Sequence, residues 1–285
     1  MYDLMIIGSG PAGISAALTA KARNLNFIWF GSRALSTKIE KAEKIMNYPG
    51  LPAVTGSEMQ SVFLKQIDDC GITITESQVN SIYDCGGYFA AGADNEIYEA
   101  KAVIMTVGMT TTREIEGEAR LLGCGVSYCA TCDGALYKNK DIAVICASPK
   151  FEVEVTFLAG LANHIYLFTS YKETTLQYDN ITHFNGLPAS VDGDKKVASV
   201  TFKGEAIPVS GAFFLKDSIN PGVLLSGLDM AGGHIIVDRT QMTNIDGVYA
   251  AGDCTGRPYQ YAKAVGEGNV AVHSVLEYLK EHKDN

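Results

Sequence analysis

The sequence predicts an α/β protein built from two doubly wound, three-layer domains. A chain of 285 residues is long for one compact core, so two domains are expected from its length. At the N-terminus a short apolar strand, residues 4–7, runs into a glycine-rich turn and an alanine-rich helix. A second apolar strand, residues 141–145, lies midway along the chain. We interpret it as the first strand of a second unit in which strands and helices alternate. Both units are then Rossmann-like.

Composition and charge restrict the class of protein. Hydrophobic residues make up 47% of the chain and charged residues only 19%, as expected of a globular protein with a substantial core. No segment approaches the roughly 20 consecutive apolar residues of a membrane span. Residues 1–4 show neither a basic region nor an apolar leader, which indicates a cytoplasmic protein. A net charge of −9 argues against partners such as nucleic acid or an anionic membrane.

The N-terminal turn carries a dinucleotide-binding pattern, and it reads Gly8-Ser9-Gly10-Pro11-Ala12-Gly13. In this pattern Gly8 permits the tight turn, Gly10 lets the backbone approach a pyrophosphate, and Gly13 allows close packing of helix on strand. The following helix offers free N–H groups and a positive dipole to the phosphates. The alternative is a glycine-rich turn in a sheet that binds no nucleotide.

Later segments favour FAD over NAD. The second strand, residues 27–30, ends in Gly31-Ser32 and lacks the acidic residue that would bind the ribose of NAD. A buried strand at residues 102–105 runs into Thr106-Val107-Gly108, and another at residues 247–251 ends in Gly252-Asp253. The carboxylate of Asp253 is a candidate to bond a ribityl hydroxyl of FAD.

Two of the seven cysteines form a Cys-x-x-Cys motif, Cys129 and Cys132. If this segment opens a helix, both sulfurs lie near its N-terminus, where the helix dipole favours thiolate. Asp133 follows directly and is a candidate for proton transfer. Half of a zinc site is the alternative, but a second such motif and a nearby histidine pair are missing, so no metal is expected. We interpret the other cysteines as packing residues: Cys70, Cys85, Cys124, Cys146 and Cys254.

These motifs, together with Asn47-Tyr48-Pro49-Gly50 and Cys129-Ala130-Thr131-Cys132-Asp133-Gly134, make nearly the whole chain resemble the low-molecular-weight thioredoxin reductase family. The resemblance implies a fold of the pyridine-nucleotide-disulfide-oxidoreductase type and a homodimer. It also implies FAD along the first domain and the dithiol on a smaller inserted domain. By resemblance, Cys132 faces the flavin and Cys129 attacks the disulfide of the substrate, thioredoxin.

The resemblance sets the expected domain boundaries. A discontinuous FAD-binding domain is expected at residues 1–111 and 212–285, with the dithiol domain inserted at residues 112–211. The apolar strand at residues 212–215 is then the point where the flavin domain resumes. The two links, near Thr111-Thr112 and near Gly211, are candidate hinges.

The resemblance also extends the set of flavin contacts. It adds Asn47, Val79, Gln260 and Tyr261 to the glycine-rich turn, Thr106, Gly108, Gly252 and Asp253. Relatives commonly read Tyr-Arg-Gln-Ala in the last segment, so Gln260 replaces an arginine and Tyr261 a glutamine. Tyr261 then either covers a face of the flavin ring or packs at the dimer interface. A helix is predicted to begin at residues 266–269, with its N-terminus toward the flavin pyrimidine.

The inserted domain lacks the expected NADPH-binding residues. Its first strand is followed by Cys146-Ala147-Ser148-Pro149-Lys150-Phe151, where side chains stand at positions that a pyrophosphate needs as bare backbone. Pro149 also removes an N–H donor. The next strand, residues 165–168, is followed by Thr169-Ser170-Tyr171-Lys172, whereas NADPH-dependent relatives carry His-Arg-Arg to clamp the 2′-phosphate. The sequence therefore predicts that NADPH is not bound.

Without NADPH the electrons need another source. FAD joins a one-electron donor to a two-electron disulfide, and the chain has no cysteine cluster for an iron–sulfur centre of its own. An external ferredoxin or flavodoxin fits, and the pattern resembles the ferredoxin-dependent flavin thioredoxin reductases of clostridia. Two alternatives remain: an atypical NADPH-dependent thioredoxin reductase, and a non-catalytic flavin and dithiol redox sensor.

One basic segment is a candidate docking patch for an acidic donor. It comprises Arg33, Lys38, Lys41 and Lys44, which precede Asn47. A local positive patch can steer an acidic partner despite the overall negative charge. The lysines are also spaced for one face of a solvated helix with Glu40 and Glu43 alongside, which is the alternative.

Overall fold

The computed structural model describes residues 1–40, 42–94, 96–109, 115–216 and 220–282. The chain divides into two compact units. The first unit comprises Met1–Thr110 and Leu224–Asn285, and the second comprises Thr111–Val223. The first unit is therefore discontinuous in sequence, and the second is inserted in it.

The strands, in chain order, are β1 (Tyr2–Ile7), β2 (Phe27–Phe30), β3 (Val79–Asp84), β4 (Phe89–Ala93), β5 (Glu96–Met105), β6 (Val126–Ser127), β7 (Asp141–Cys146), β8 (His164–Thr169), β9 (Ile181–Asn185), β10 (Ser190–Asp192), β11 (Ser199–Phe202), β12 (Glu205–Pro208), β13 (Gly211–Leu215), β14 (Met230–Ala231), β15 (His234–Ile235) and β16 (Val248–Ala250). The helices are α1 (Pro11–Ala22), α2 (Thr37–Glu40), α3 (Gly56–Asp69), α4 (Ala130–Asp133), α5 (Glu152–Ala159), α6 (Pro221–Leu224) and α7 (Tyr261–Glu281). Short 3₁₀ turns occur at Gly134–Tyr137, Pro149–Phe151 and Asp253–Thr255.

The first unit is organised around a sheet in the order β2-β1-β5-β4-β3, with β16 also paired to β5. Strands β2, β1, β5 and β16 pair in parallel, whereas β3 and β4 extend the sheet in antiparallel fashion. Leu4, Met5 and Ile6 in β1 are fully buried, as expected of a parallel strand covered on both faces. Helices α1 and α7 pack closely together, since a Cβ added to Gly268 would lie 2.2 Å from Ala12 O.

Helix α3 shows how local sequence sets an element of this unit. It begins after Thr55, whose hydroxyl accepts a hydrogen bond from Glu58 N at 3.2 Å, while Glu58 Oε2 accepts one from Thr55 N at 2.7 Å. This capping box satisfies N–H groups that the first turn leaves unpaired, and such a cap contributes about 1 kcal/mol. Met59, Phe63 and Ile67 recur at intervals of four and form the buried face of the helix.

The second unit has its own parallel sheet, in the order β6-β13-β7-β8-β9. Helix α5 packs on this sheet through Val155 and Leu158, which join Val144, Leu167 and Phe213 in one buried cluster. Strands β10, β11 and β12 form a separate antiparallel sheet.

The boundary expected at residue 212 is wrong. Strand β13 does not resume the flavin domain, because it pairs in parallel with β7 and β6 and all five of its residues are buried in the second unit. The chain returns to the first unit only after Val223. Gly211 is likewise not in a link, since a Cβ there would lie 2.3 Å from the ring of Tyr137. The other candidate hinge, Thr111-Thr112, lies outside the described residues.

None of the helices in the described ranges is both long and apolar enough to cross a membrane.

Candidate active site

The glycine-rich turn between β1 and α1 has one glycine that faces open space and two that are tightly packed. A Cβ on Gly8, whose φ is +114°, would lie 2.3 Å from Thr106 O, and one on Gly13 would lie 2.0 Å from Gly8 O. A Cβ on Gly10 would meet nothing within 4 Å. Among the described residues no side chain caps α1, and Pro11 stands in its first turn. Bare backbone at an uncapped helix N-terminus fits a pyrophosphate.

The side chain of Ser9 is used inside the protein. Its hydroxyl donates to Leu35 O at 3.0 Å and accepts from Ser32 N at 2.9 Å, so it fastens the loop that follows β2. A Cβ on Gly31 would lie 2.5 Å from the Cβ of Ser9. This contact explains why no acidic side chain stands at Gly31, and it leaves the backbone of Ser9 as the part able to face a ligand.

Thr106 also acts within the fold. Its hydroxyl is shared between Ile7 O at 2.9 Å and Gly8 O at 3.0 Å. The indole N–H of Trp29 donates to the same Gly8 carbonyl at 2.8 Å. Gly108, two residues later, has a φ of +65° and faces open space. Thr106 therefore fixes the glycine-rich turn, while Gly108 leaves room beside it.

The segment after β16 brings Gly252 and Asp253 against α1. Gly252 adopts φ +94° and ψ −150°, a conformation that in practice only glycine adopts. A Cβ there would lie 3.1 Å from the Cβ of Ala12. The Gly-Asp turn thus lies beside the glycine-rich turn, although 240 residues separate Ala12 from Gly252. Two charged residues that no motif indicated, Lys263 and Glu267, hold this turn by hydrogen bonds.

Asn47 and Gln260, two residues predicted to contact the flavin, are hydrogen-bonded to each other. The amide of Asn47 donates to Gln260 Oε1 at 2.8 Å, across 213 residues of sequence. They line an open depression of about 270 Å³, together with Tyr261, Tyr259 and Ile45. Burial, and to a lesser degree the carboxylate of Asp253, raises the pKa of Tyr261.

Two expectations in this part of the chain need revision. Helix α7 begins at Tyr261 rather than at residues 266–269, so its first turn carries Tyr261 and Lys263. Val79 begins β3 and its side chain is buried in the protein. Only the backbone of Val79 is therefore able to face a ligand.

The dithiol lies in the second unit, directly after β6. A disulfide joins Cys129 and Cys132. Cys129 is the N-cap of α4, and its sulfur accepts a hydrogen bond from Cys132 N at 3.1 Å. Cys129 is buried and Cys132 is exposed. The backbone amide at the sulfur of Cys129 favours negative charge on that atom once the pair is reduced.

Ser127 connects the dithiol to Asp133. Its hydroxyl donates to Asp133 Oδ2 at 2.7 Å and accepts from Cys129 N at 3.1 Å. Ser127 is buried, with 4% of its surface exposed. The sequence motif did not indicate this residue, because the link between Ser127 and Asp133 appears only when the chain turns into α4.

Side chains in the first turn of α5 and in the loop after β8 are bonded to each other. Tyr171 donates to Glu152 Oε1 at 3.0 Å, and Thr175 N donates to Glu152 Oε2 at 3.3 Å. The hydroxyl of Thr175 bonds the same carboxylate. Burial raises the pKa of Glu152, but the hydrogen bonds from Thr175, Thr174 and Tyr171 outweigh burial and hold it below its ordinary value.

Cys146 completes this network at the end of β7. The phenol of Tyr171 lies 3.4 Å from its sulfur, and the thiol points to Ser148 O at 3.3 Å. Burial raises the pKa of the Cys146 thiol, and the hydrogen bond from Tyr171 partly offsets that effect. Because the thiol is buried and protonated, Cys146 acts here as a packing residue.

The structure describes only part of the proposed basic patch. The guanidinium of Arg33 is paired with Asp68 at 3.0 Å. Lys41 and the side chain of Lys38 lie outside the described residues, and Lys44 is an exposed residue beyond the end of α2.

Within the described ranges no group of three or more His, Cys, Asp or Glu is arranged to hold a metal ion.

Comparison with known proteins places this geometry in a family. The model of the pyridine nucleotide-disulphide oxidoreductase family matches residues 2–156 and 182–268. A crystal structure of a ferredoxin-flavin thioredoxin reductase from Clostridium acetobutylicum is 42% identical, with a TM-score of 0.88, and the match covers 100% of this chain and 99% of that one.

More distant relatives match over the same length. The atypical thioredoxin reductase TRi from Desulfovibrio vulgaris Hildenborough is 28% identical, with a TM-score of 0.70 and all of both chains covered. A thioredoxin reductase from Listeria monocytogenes is 26% identical, covering 100% of this chain and 96% of that protein. The predicted α/β fold with parallel sheets is therefore confirmed. The chain belongs to the pyridine nucleotide-disulphide oxidoreductase family, and it is a flavoprotein disulfide oxidoreductase of the thioredoxin reductase type.

Proposed function

We propose that this enzyme reduces the disulfide of thioredoxin with electrons from reduced ferredoxin, without NADPH. The Cys129–Cys132 pair would receive the electrons from FAD bound in the first unit and would pass them to thioredoxin. Similarity over the whole chain to the Clostridium acetobutylicum ferredoxin-flavin thioredoxin reductase supports this donor. The observation that carries the proposal is the buried carboxylate of Glu152 in the first turn of α5, bonded to the loop after β8.

The negative charge of Glu152 disfavours the binding of a nucleotide at the N-terminus of α5. The N-terminus of a helix attracts a phosphate because its N–H groups and its dipole favour an anion. In α5 the carboxylate of Glu152 already supplies that anion, and Tyr171 and Thr175 satisfy its oxygens. A pyrophosphate at this helix end would meet a like charge where screening by water is weak.

The turn before α5 opposes a nucleotide sterically. NADPH-binding turns of this fold present bare backbone to the pyrophosphate. Here the turn carries the side chains of Ser148, Pro149 and Phe151, and Phe151 is buried against the core of the second unit. The missing glycines and the carboxylate of Glu152 therefore both disfavour the binding of a nucleotide.

FAD is the cofactor that the first unit would hold. The open space at Gly10 and the uncapped N-terminus of α1 fit its pyrophosphate. Asp253 would bond a ribityl hydroxyl, and Asn47 and Gln260 would contact the ring system. When bound, FAD supplies a carrier that accepts electrons singly and delivers them as a pair.

The reduced dithiol would act on thioredoxin by two exchanges. The thiolate of Cys129 attacks one sulfur of the thioredoxin disulfide, which forms a mixed disulfide and releases the other thioredoxin sulfur as a thiolate. The thiolate of Cys132 then attacks Cys129 in the mixed disulfide, which restores the Cys129–Cys132 disulfide and releases reduced thioredoxin. The two thioredoxin sulfurs take up two electrons and two protons.

One contact supports the role given to Cys129 and one group supports proton transfer, while Cys132 is the exposed cysteine of the pair. The amide of Cys132 donates to the sulfur of Cys129, so the thiolate of Cys129 is stabilised before it attacks. Asp133 accepts a hydrogen bond from Ser127 beside the dithiol, and its carboxylate accepts and returns the proton of the reduced pair.

We propose that the enzyme is a homodimer in the cytoplasm. Flavodoxin is a second one-electron donor with suitable chemistry.

The test is steady-state reduction of thioredoxin under anaerobic conditions, with ferredoxin, flavodoxin, NADPH or NADH as the only donor. We expect turnover with ferredoxin and none above background with either nicotinamide. Turnover with NADPH at the ferredoxin rate would refute the proposed donor, and no turnover with any donor would favour a redox sensor.

A further inference from the structure

One charged pair on α7 holds the turn that follows β16. Lys263 Nζ lies 2.7 Å from Gly252 O, 2.9 Å from Thr255 Oγ1 and 2.9 Å from Gly256 O. Glu267 Oε2 accepts from Gly252 N at 2.8 Å and from Thr255 Oγ1 at 3.0 Å. The two side chains are also paired with each other at 3.0 Å, and each is less than one fifth exposed. We call Lys263 and Glu267 the α7 clamp.

The α7 clamp bonds both ends of a backbone segment that begins and ends in glycine. Gly252 adopts φ +94° and Gly256 φ +121°, values that a free glycine samples among many others, so contacts from outside the turn select them. The clamp supplies such contacts, since it bonds the N–H and the carbonyl of Gly252 and the carbonyl of Gly256. Hydrogen bonds to charged groups are stronger than those between neutral ones.

The clamped turn also carries the proposed ribityl contact. Asp253 stands between Gly252 and Thr255 in the 3₁₀ turn, and Gly252 packs on Ala12 in the first turn of α1. Helix α7 contacts α1 as well, through Gly268. The clamp therefore fixes Asp253 relative to the helix end where the pyrophosphate would bind.

We infer that Lys263 and Glu267 are positioning residues that preform the FAD-binding turn, so that FAD affinity depends on the α7 clamp. This inference rests on the proposed contact between Asp253 and FAD. A turn already held in its binding conformation loses less freedom when the ligand binds, and the affinity is higher for that reason. Without the clamp, FAD binding has to order the turn.

The variants separate a positioning role from a purely structural one. K263M keeps the apolar stem and removes the ammonium, and K263M/E267Q also removes the carboxylate that K263M leaves without its partner. K263R keeps the charge and serves as the conservative variant. K280M is the matched control, since it removes one positive charge from an exposed position of the same helix.

The measurement is the dissociation constant of FAD, obtained by diluting the yellow holoenzyme and following the fluorescence of released flavin. We expect binding to weaken about 10-fold or more in K263M and K263M/E267Q, less in K263R, and not at all in K280M. The urea midpoint of the FAD-saturated proteins is measured in parallel, and we expect it to fall in K263M more than in K263M/E267Q.

Two results would overturn the inference in different ways. Unchanged FAD affinity in K263M and K263M/E267Q, with a lower urea midpoint, would leave the clamp a role in the fold alone. A wild-type protein that holds no FAD would refute the proposed cofactor and the inference together. If K263M does not fold, E267Q and K263R give the same comparison with smaller changes.

Discussion

The phenol of Tyr171 donates a hydrogen bond of 3.0 Å to the carboxylate of Glu152. This bond joins the loop after β8 to the first turn of α5, the two places where a nucleotide-binding domain of this fold contacts its ligand. In this protein the two places contact each other. The second unit has the parallel sheet and the helix of such a domain, and its own side chains bond each other at these two places.

We expect Y171F to destabilise the protein by about 1–2 kcal/mol, because the variant removes a donor from a buried carboxylate. The free energy of unfolding is measured in urea. Y178F is the control, since it deletes the same hydroxyl from an exposed tyrosine. Thioredoxin reduction by Y171F should match the wild-type rate. Equal stability of Y171F and Y178F would mean that the hydrogen bond is not formed in solution.

Glu152 should make stability depend on acid pH. Its pKa in the folded protein lies below its ordinary value of 4.5, so the folded state binds the proton less readily than the unfolded state. Its stabilising contribution is complete above the unfolded pKa and is lost as the pH falls through the folded pKa. Urea midpoints between about pH 6 and about pH 3 should fall more steeply for the wild type than for E152Q. Parallel curves would contradict this assignment.

C129S and C132S should each abolish thioredoxin reduction and leave FAD bound, because disulfide exchange needs both sulfurs. C132S should in addition trap a mixed disulfide between Cys129 and thioredoxin, detected on a non-reducing gel. C124S is a matched control at an exposed cysteine. Retained turnover in either variant of the pair would rule out the proposed exchange, and trapping only in C129S would reverse the two roles.

S127A should slow thioredoxin reduction about 10-fold, since it removes a hydrogen bond that orients Asp133 beside the dithiol. S127T keeps the hydroxyl and should restore most of the rate. The comparison uses kcat with saturating thioredoxin, because an effect on positioning lowers kcat more than it raises KM. Equal rates in S127A and the wild type would show that Asp133 does not depend on Ser127.

The sequence alone predicts those parts of the site that are encoded locally. Gly8, Gly10 and Gly13 are recognisable because one short turn needs three particular backbone properties. The dithiol is recognisable because both sulfurs belong to one turn of chain. The sequence also shows side chains in place of glycines between Cys146 and Phe151, and the loss of a nucleotide site there stays a prediction.

Interactions between distant segments were not predictable. Glu152 meets Tyr171 and Thr175 only after β8 is placed beside β7. Lys263 was missed because α7 was expected to begin at residues 266–269, which left Lys263 outside the helix that aims it at Gly252. The boundary at residue 212 failed for a similar reason, since an apolar strand such as β13 suits either parallel sheet.

The central claim is that electrons enter without a nicotinamide. The most direct measurement is the anaerobic visible absorbance of the yellow protein after rapid mixing with NADPH or with reduced ferredoxin. We predict that ferredoxin bleaches the flavin and that oxidised thioredoxin restores its colour, whereas NADPH leaves the spectrum unchanged. Bleaching by NADPH at a rate that supports turnover would contradict the account, because it would mean that the place held by Glu152 and Tyr171 still admits a nucleotide.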